Sequence, residues 1–271
     1  MPSITPTPLK SPTAEAGSSP TPTTGARWPV VNVPATIAEN TTWISGTVYL
    51  VTGQTTLNAG GTLTIEAGAV VKFQNSGSTR GKLLVNGVLL VQGTADAGVV
   101  FTSIHDDTYG GDTNNNGGGT WPNAGDWDGL AFGTTSGGSS LDYATVVYGG
   151  ADGNVVVTGA AVNLRHGFIA YGSADGLRWL NGAAGEISDT AIQQNLSNGI
   201  SLSAASSPAV TGNTLRDNRG YAVYMEANCF PAFGSNTVFG NGTNGAGVYG
   251  TRWARGHGTP TTACLTSPRP T

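Results

Sequence analysis

A chain of 271 residues is long enough for one sizeable core, either as a single elongated domain or as two. Its 42 glycines and only 10% charged side chains are too apolar a mixture for disorder and too poor in Lys, Glu and Ala for a helical protein. A net charge of −4, with no basic stripe interleaved with aromatics, argues against a nucleic-acid partner, and no run of 18 apolar residues is present to span a membrane.

Residues 1–27 read as a linker, with Pro at positions 2, 6, 8, 12, 20 and 22 among Ser and Thr. Such a segment cannot hold a strand ladder and stays extended. No basic flank leads into an apolar run, so it is not a signal peptide. The tail over 256–271 ends SPRPT and resumes the same composition, which is the expectation for a module cut from a longer chain.

Residues 28–255 are expected to form one all-β solenoid. In 35–101, Gly61, Leu63, Ile65 and Val71 recur as Gly81, Leu83, Val85 and Val91, each 20 residues later, which predicts ~20-residue coils in the N-terminal half. The stretch 35–49 is expected to cap the open end, with Trp43 packed there between Ile44 and Val48, because an uncovered solenoid edge invites strand addition.

Over 102–128 the pattern breaks into SIHDDTYGGDTNNNGGGTWPNAGDWD, an insertion carrying five acidic residues and no Lys or Arg. Within it Asp112, Asn114, Asn116 and Gly117 fit the first half of a calcium loop, D-x-[DN]-x-[DN]-G. Alternate oxygen-bearing side chains around a glycine turn can wrap a hard cation that takes 6 to 8 oxygens. The twelfth position is Asn123 rather than Glu, so Asp126 would complete the shell, and calcium is the one cofactor the sequence suggests. The alternative is an ordinary solvated turn.

From Leu141 to Arg255 the chain divides into five lines of 23 residues. The first column holds Leu141, Leu164, Ile187, Val210 and Phe233, and the sixth holds Val146, Ile169, Ile192, Leu215 and Val238. The sixteenth holds Val156, Trp179, Leu202, Met225 and Val248. All fifteen are apolar in a chain that is 38% hydrophobic. The ninth column, Gly149, Gly172, Asn195, Asn218 and Asn241, and the thirteenth, Gly153, Gly176, Gly199, Ala222 and Gly245, carry residues that reach left-handed backbone angles at little cost, so these columns are expected to be the corners. Short lines rich in Val, Thr, Gly and Asn suit strands and turns, whereas helical repeats need about 33 to 47 residues. Coils stacked about 4.8 Å apart would set Asn195, Asn218 and Asn241 in an amide ladder.

Lines such as AVTGNTLRDNRGYAVYMEAN resemble the repeats of right-handed parallel β-helix proteins of the pectate-lyase-like fold. With TLTIEAGAVVKF, LLVNGVLLVQGTADAGVVFTS and GDWDGLAF, the chain is similar to bacterial secreted or surface proteins of that type over roughly 42–255. The resemblance implies fold strongly and activity weakly, since one fold hosts many chemistries.

That family includes lyases and hydrolases of acidic polysaccharides, which makes such an enzyme the alternative function. The residues do not gather for it. No Lys follows Lys82, and Arg165, Arg178, Arg216 and Arg219 occupy different columns. Gly256-His257-Gly258 matches part of a hydrolase motif, yet no Arg-x-Lys follows and Asp106-Asp107 lies far upstream, whereas acid and base must reach one glycosidic oxygen. His166 beside Asp189 is a milder candidate against a plain surface turn. Tyr148 above Tyr171, and Trp121 and Trp127 flanking the acidic loop, are candidate ligand-binding aromatics, with core or cap packing as the alternative. Cys229 and Cys264 could close a disulfide worth roughly 3 to 4 kcal/mol or be two unrelated small hydrophobes; the sequence leaves both open. The expectation is therefore a non-catalytic extracellular or cell-surface module: a rigid spacer, an adhesive or glycan-contacting unit, or an assembly unit. Its partner would be a polysaccharide or cell-surface glycan, with head-to-tail self-assembly as a further use of open ends.

Overall fold

A computed structural model describes residues 27–77 and 79–250, together with the backbone of a short strand at Thr262–Ala263. The chain winds as a β-solenoid of three sheets, parallel throughout except at one short terminal strand. The first sheet runs from Val30–Asn32 to Thr237–Phe239 in nine strands. The second runs from Thr36–Ile37 to Thr243–Tyr249, and the third from Thr41–Trp43 to Ala232–Gly234. Thr262–Ala263 adds antiparallel to Thr243–Tyr249 and covers that edge of the last coil. No helix long and apolar enough to cross a membrane occurs among the described residues.

Strand alternation puts every second side chain inside the tube, and registry stacks like on like. Leu141, Leu164, Ile187, Val210 and Phe233 pair coil by coil in the third sheet. Val146, Ile169, Ile192, Leu215 and Val238 do the same in the first. One continuous core results, in which nearly all of these residues have no exposed surface.

The sixteenth column departs from the expected register by one residue at its start. Val157, not Val156, stands beneath Trp179, and Val156 pairs with Arg178 on the outer face. Five residues, 148–152, link the first and second sheets in the fifth coil, against four, 171–174, in the sixth. That extra corner residue slips the second sheet by one.

The N-terminal period also needs correction. Leu63 pairs with Leu89 and Ile65 with Val91, while Leu83 and Val85 pair with Thr55 and Leu57. The cause is a small excursion after Val70–Phe73, closed by the antiparallel bridge Asn75–Arg80, which lengthens the third coil. The first winding step is shorter, 18 residues from Val30 to Val48 and 22 from Thr41 to Leu63. Residues 35–49 supply strands of the first coil and the start of the second. Trp43 is buried there and stacks on Tyr49 at 4.6 Å.

Corner geometry differs from expectation as well. The left-handed residues are Tyr143, His166, Asp189, Gly212 and Ser235 before the first sheet, and Tyr148, Tyr171, Gln194, Asp217 and Gly240 after it, with φ between 49° and 69°. Those are the third and eighth columns. Glycine in the ninth column serves another purpose: a Cβ on Gly172 would sit 2.7 Å from Asn154 Nδ2 and 3.0 Å from Asn195 Oδ1.

The ladder beside it is buried. Asn195 Nδ2 donates to Asn218 Oδ1 at 2.9 Å, and Asn218 Nδ2 to Asn241 Oδ1 at 2.8 Å. Asn154 extends the ladder downward, donating to Asn195 Oδ1, and Asn244 ends it by accepting from Asn241. A second ladder of Thr190, Asn213 and Asn236 runs up the corner between the third and first sheets.

Candidate functional site

The insertion is not a free loop. Between Val99–Ser103 and Leu130–Phe132 it folds back over the outside of the first sheet. There Val48, Val70 and Val100 form a second apolar cluster with Trp28 and Tyr109 packed on it. Asp126 pins its far end: it is buried, and its carboxylate accepts from Ser103 Oγ at 2.6 Å, Asn123 N at 3.1 Å and Asn75 Nδ2 at 3.3 Å, with His105 Nδ1 at 3.2 Å. Lys72, fully buried, donates to Gly111 O at 2.7 Å. Burial lowers its pKa to about 8 against the opposing pull of Asp106, Asp107 and Asp112. Arg27 donates to Asp112 O at 2.8 Å.

Of the expected calcium ligands, Asp112 and Asp126 serve separate networks, while the Asn114 side-chain oxygen is buried without a hydrogen-bond partner. The Asp112 carboxylate accepts from the amides of Gly117 at 2.9 Å and Asn116 at 3.2 Å, which hold it below the usual carboxylate range. Asp126, expected to complete the shell, belongs to the separate network around Ser103 and His105. Asn114 and Asn116 both turn their amide nitrogens to Thr120 Oγ1. Lys72 already supplies a positive charge to the carboxylates of this loop. No group of three or more His, Cys, Asp or Glu side chains placed to hold a metal ion occurs among the described residues. Exchanging EDTA for ~1 mM calcium should therefore move the unfolding temperature by less than about one degree, measured by differential scanning fluorimetry. A rise of several degrees would show that the loop rearranges around the ion.

The four candidate aromatics separate. Trp127 is wholly buried, stacks on Phe73 at 3.9 Å and donates Nε1–H to Val147 O at 2.9 Å, so it belongs to the core and cannot meet a ligand. Trp121 is 78% exposed. Tyr148 and Tyr171 stack at 5.2 Å on the corner after the first sheet. His166 stacks on Tyr143 at 4.4 Å. Arg165, Arg178 and Arg216 are engaged singly by Glu186, Asp152 and Asp217. Cys229 is buried, and that burial pushes its thiol up; Cys264 lies outside the described residues, and with it the pairing, as does Gly256-His257-Gly258.

A site that the sequence motifs did not single out lies on the outer face of the second sheet. The sixth coil presents Asp175, Arg178 and Leu180 there, from strand Asp175–Leu180. The eighth presents Tyr224, from Tyr221–Glu226, and Glu226 stands next to the rim residue Tyr249. Between them the seventh offers the short polar side chains Asn198, Ser201 and Ser203, with the buried Leu202 among them, around strand Ile200–Leu202. Arg178 pairs with Ser201 and Ser201 with Tyr224, so the small serine stands between a guanidinium below and a phenol ring above. The result is a cleft with Tyr249 at its upper rim. Tyr224 stacks on Tyr249 at 4.6 Å and leans over Gly247, where a Cβ would lie 2.9 Å from its ring.

Both carboxylates at this cleft have structural partners. Asp175 Oδ1 accepts from Asn198 N and Nδ2, each at 3.0 Å. Glu226 accepts from Ala204 N at 2.6 Å and from Tyr249 Oη at 3.5 Å. The fifteenth column from the sixth coil onward, Arg178, Ser201, Tyr224 and Gly247, was the signal that could have revealed the cleft: an outward column with a large, a small and a large residue in succession.

Two family descriptions match adjoining stretches: a right handed beta helix region over residues 128–254, and a pectate-lyase like beta helix domain over 35–119. No curated protein matches the chain in sequence. Among solved structures, a double mutant of the periplasmic alginate epimerase AlgG is 12% identical with a TM-score of 0.49, over 82% of this chain and 60% of that one. A single mutant of the same epimerase is 14% identical with a TM-score of 0.41, over 82% of this chain and 71% of that one. The chain thus spans about 60% of the length of the first. These are likenesses of fold alone.

Proposed function

We propose that this chain, a right-handed parallel β-helix protein, is a rigid extracellular module that holds a polysaccharide in the cleft on its second sheet without cleaving it. One observation carries the reading: the side chains of the seventh coil are short and polar where those above and below are a Tyr ring and an Arg. Pyranose rings bind on aromatic faces rimmed by hydrogen-bonding groups, and a stacked solenoid offers such a surface without ordering cost. The Tyr148–Tyr171 corner and exposed Trp121 are secondary glycan contacts in the same proposal.

The competing reading is a lyase or hydrolase of an acidic polysaccharide. It requires an acid and a base free to meet at one glycosidic oxygen. At the cleft, Asp175 and Glu226 are tied to backbone and side-chain donors of neighbouring coils, and Arg178 lies 3.7 Å from Asp152. Native electrophoresis through gels containing soluble polysaccharides separates the two readings, with released reducing ends and unsaturated products followed in parallel. Retardation by at least one glycan with no product after a day supports the module. Sustained turnover that disappears on replacing Arg178 or Asp175 would replace it with the enzyme.

A further inference from the structure

The cleft's dimensions and charge say more about its occupant, and the inference rests on the glycan reading just given. We infer that the seventh coil is a vacant rung that receives one sugar ring of a neutral polysaccharide, laid flat against Tyr224, and that the same site turns away uronate chains.

The geometry comes from the ladder. Successive coils are about 4.8 Å apart, so the sixth and eighth are separated by about 9.6 Å. In the eighth and ninth coils the interval is filled by rings, with Tyr224 on Tyr249 at 4.6 Å. In the seventh it is left to Ser201, which is nearly buried and forms the floor. The missing layer is about one ring thick. Its ceiling is the Tyr224 face and its base is Arg178. Asn198 closes one side, bonded to Asp175, Ser201 and the amide of Tyr221; Ser203 and Leu180 close the other. A pyranose entering from solvent would continue the Tyr stack downward, its C–H face on the ring and its hydroxyls toward serine, amide and carboxylate oxygens.

The charge selects the class. Asp175 lines the cleft beside its one cation, Arg178, which Asp152 engages at 3.7 Å, and Glu226 stands next to Tyr249 on the upper rim. A carboxylate on the sugar would enter a net-negative field without an uncommitted cation to meet it, and that costs affinity. Neutral hydroxyls carry no such penalty, and they can donate to the carboxylate oxygens that already accept from Asn198 and Ala204.

The test uses the full chain and three proteins: wild type, Tyr224→Ala and Ser201→Tyr. The last fills the rung with the chain's own aromatic, on an outer strand position where tyrosine is well tolerated. Probes are neutral dextran, mannan and β-glucan, with alginate and polygalacturonate as uronates, each followed by calorimetry at 20 mM and 150 mM salt. Retention of at least one neutral polymer is expected, with no uronate bound at either salt. Tyr224→Ala should weaken binding about tenfold or more. Ser201→Tyr should abolish it while the unfolding temperature holds or rises. Uronate binding in preference to every neutral polymer overturns this inference and leaves the glycan module standing. Undiminished binding by Ser201→Tyr moves the site elsewhere and overturns it equally. Failure of all five polymers to bind wild type overturns the module reading itself.

Discussion

Asn218→Ala is expected to lower stability by about 4 kcal/mol. Asn218 is 1% exposed and sits in the middle of its ladder. Its Oδ1 accepts from Asn195 N at 3.2 Å and Asn195 Nδ2 at 2.9 Å. Its Nδ2 donates to Ile192 O at 3.0 Å and Asn241 Oδ1 at 2.8 Å. Alanine leaves the Asn195 amide donors and the Ile192 carbonyl facing one another across a gap. An unpartnered buried polar group costs about 1 to 3 kcal/mol, and more than one is created. Asn241 Oδ1 keeps the backbone amide of Asn218 at 3.0 Å, which limits the damage to the lower side. Asn236 makes the same kinds of bonds but is half-buried, so water can replace it. Its alanine variant should lose only about 1 kcal/mol. Urea unfolding of both variants beside wild type measures the contrast. Because coils interact mainly with their neighbours, amide exchange should show the Asn218 loss concentrated in the coils on either side. Equal losses for the two asparagines would refute the dependence on burial.

What the sequence revealed and concealed follows from corner length. The first and sixth columns stay in step across five coils because the turn between the third and first sheets hardly varies: two residues in four of the five, as in Asp189-Thr190, and Tyr143 alone in the other. The sixteenth column lies after a corner whose length varies, and one extra residue before Gly153 moved Val156 outward. Asn154 was hidden for the same reason: its amide reaches the ladder from the strand of the fifth coil, off the grid that places Gly149 and Gly172 below Asn195. Thr190, Asn213 and Asn236 do recur at 23-residue spacing, but a column that mixes Thr with Asn, with Ala144 and Gly167 beneath them, has no single side-chain chemistry to mark it as a ladder.

The left-handed corners were misplaced because the chain puts Tyr, His, Gln and Asp at positive φ, where a roughly 1 to 2 kcal/mol backbone cost argues for Gly or Asn. Here the next residue's inward side chain or amide, bonded to the coil above, enforces the turn. The insertion read as solvated because its acidic residues have no basic neighbour in sequence; their cations, Lys72 and Arg27, come from positions 34 or more residues earlier than Asp106. Long-range pairing of that kind leaves no local trace. Asp126, read in the sequence as a cation ligand, instead ties the insertion down through Ser103, Asn75 and His105, 21 to 51 residues away.

Raising the pH from 7 towards 10 should stabilise the wild-type chain relative to Lys72→Met, by up to about 3 kcal/mol. The lysine's pKa is lowered from 10.5 to about 8 in the folded protein, first by burial, with Arg27 adding to it and Asp106, Asp107 and Asp112 opposing. Below pH 8 both folded and unfolded chains carry the proton, and the cost of burying the ammonium is fully present. Between pH 8 and 10.5 the unfolded chain keeps a proton that the folded one has released, so stability rises with pH. Three buried or half-buried tyrosines, Tyr109, Tyr171 and Tyr249, are pushed upward by burial and so act in the opposite sense only above their ordinary range near 10. Cys229, also pushed up by burial, acts in the tyrosines' sense inside the window from pH 8 to 9.5, and it cancels in the comparison with Lys72→Met, which isolates Lys72. Urea midpoints at half-unit steps, for wild type and Lys72→Met, give the difference directly. A difference that stays flat across the window would mean the ammonium is hydrated and the insertion stands off the sheet. The direction of the slope also separates two roles for the lysine. A tie held by charge attraction to the three aspartates would loosen as the proton leaves, whereas a contact held by the Gly111 carbonyl at 2.7 Å survives as a neutral amine, and only the second lets the folded state gain on deprotonation.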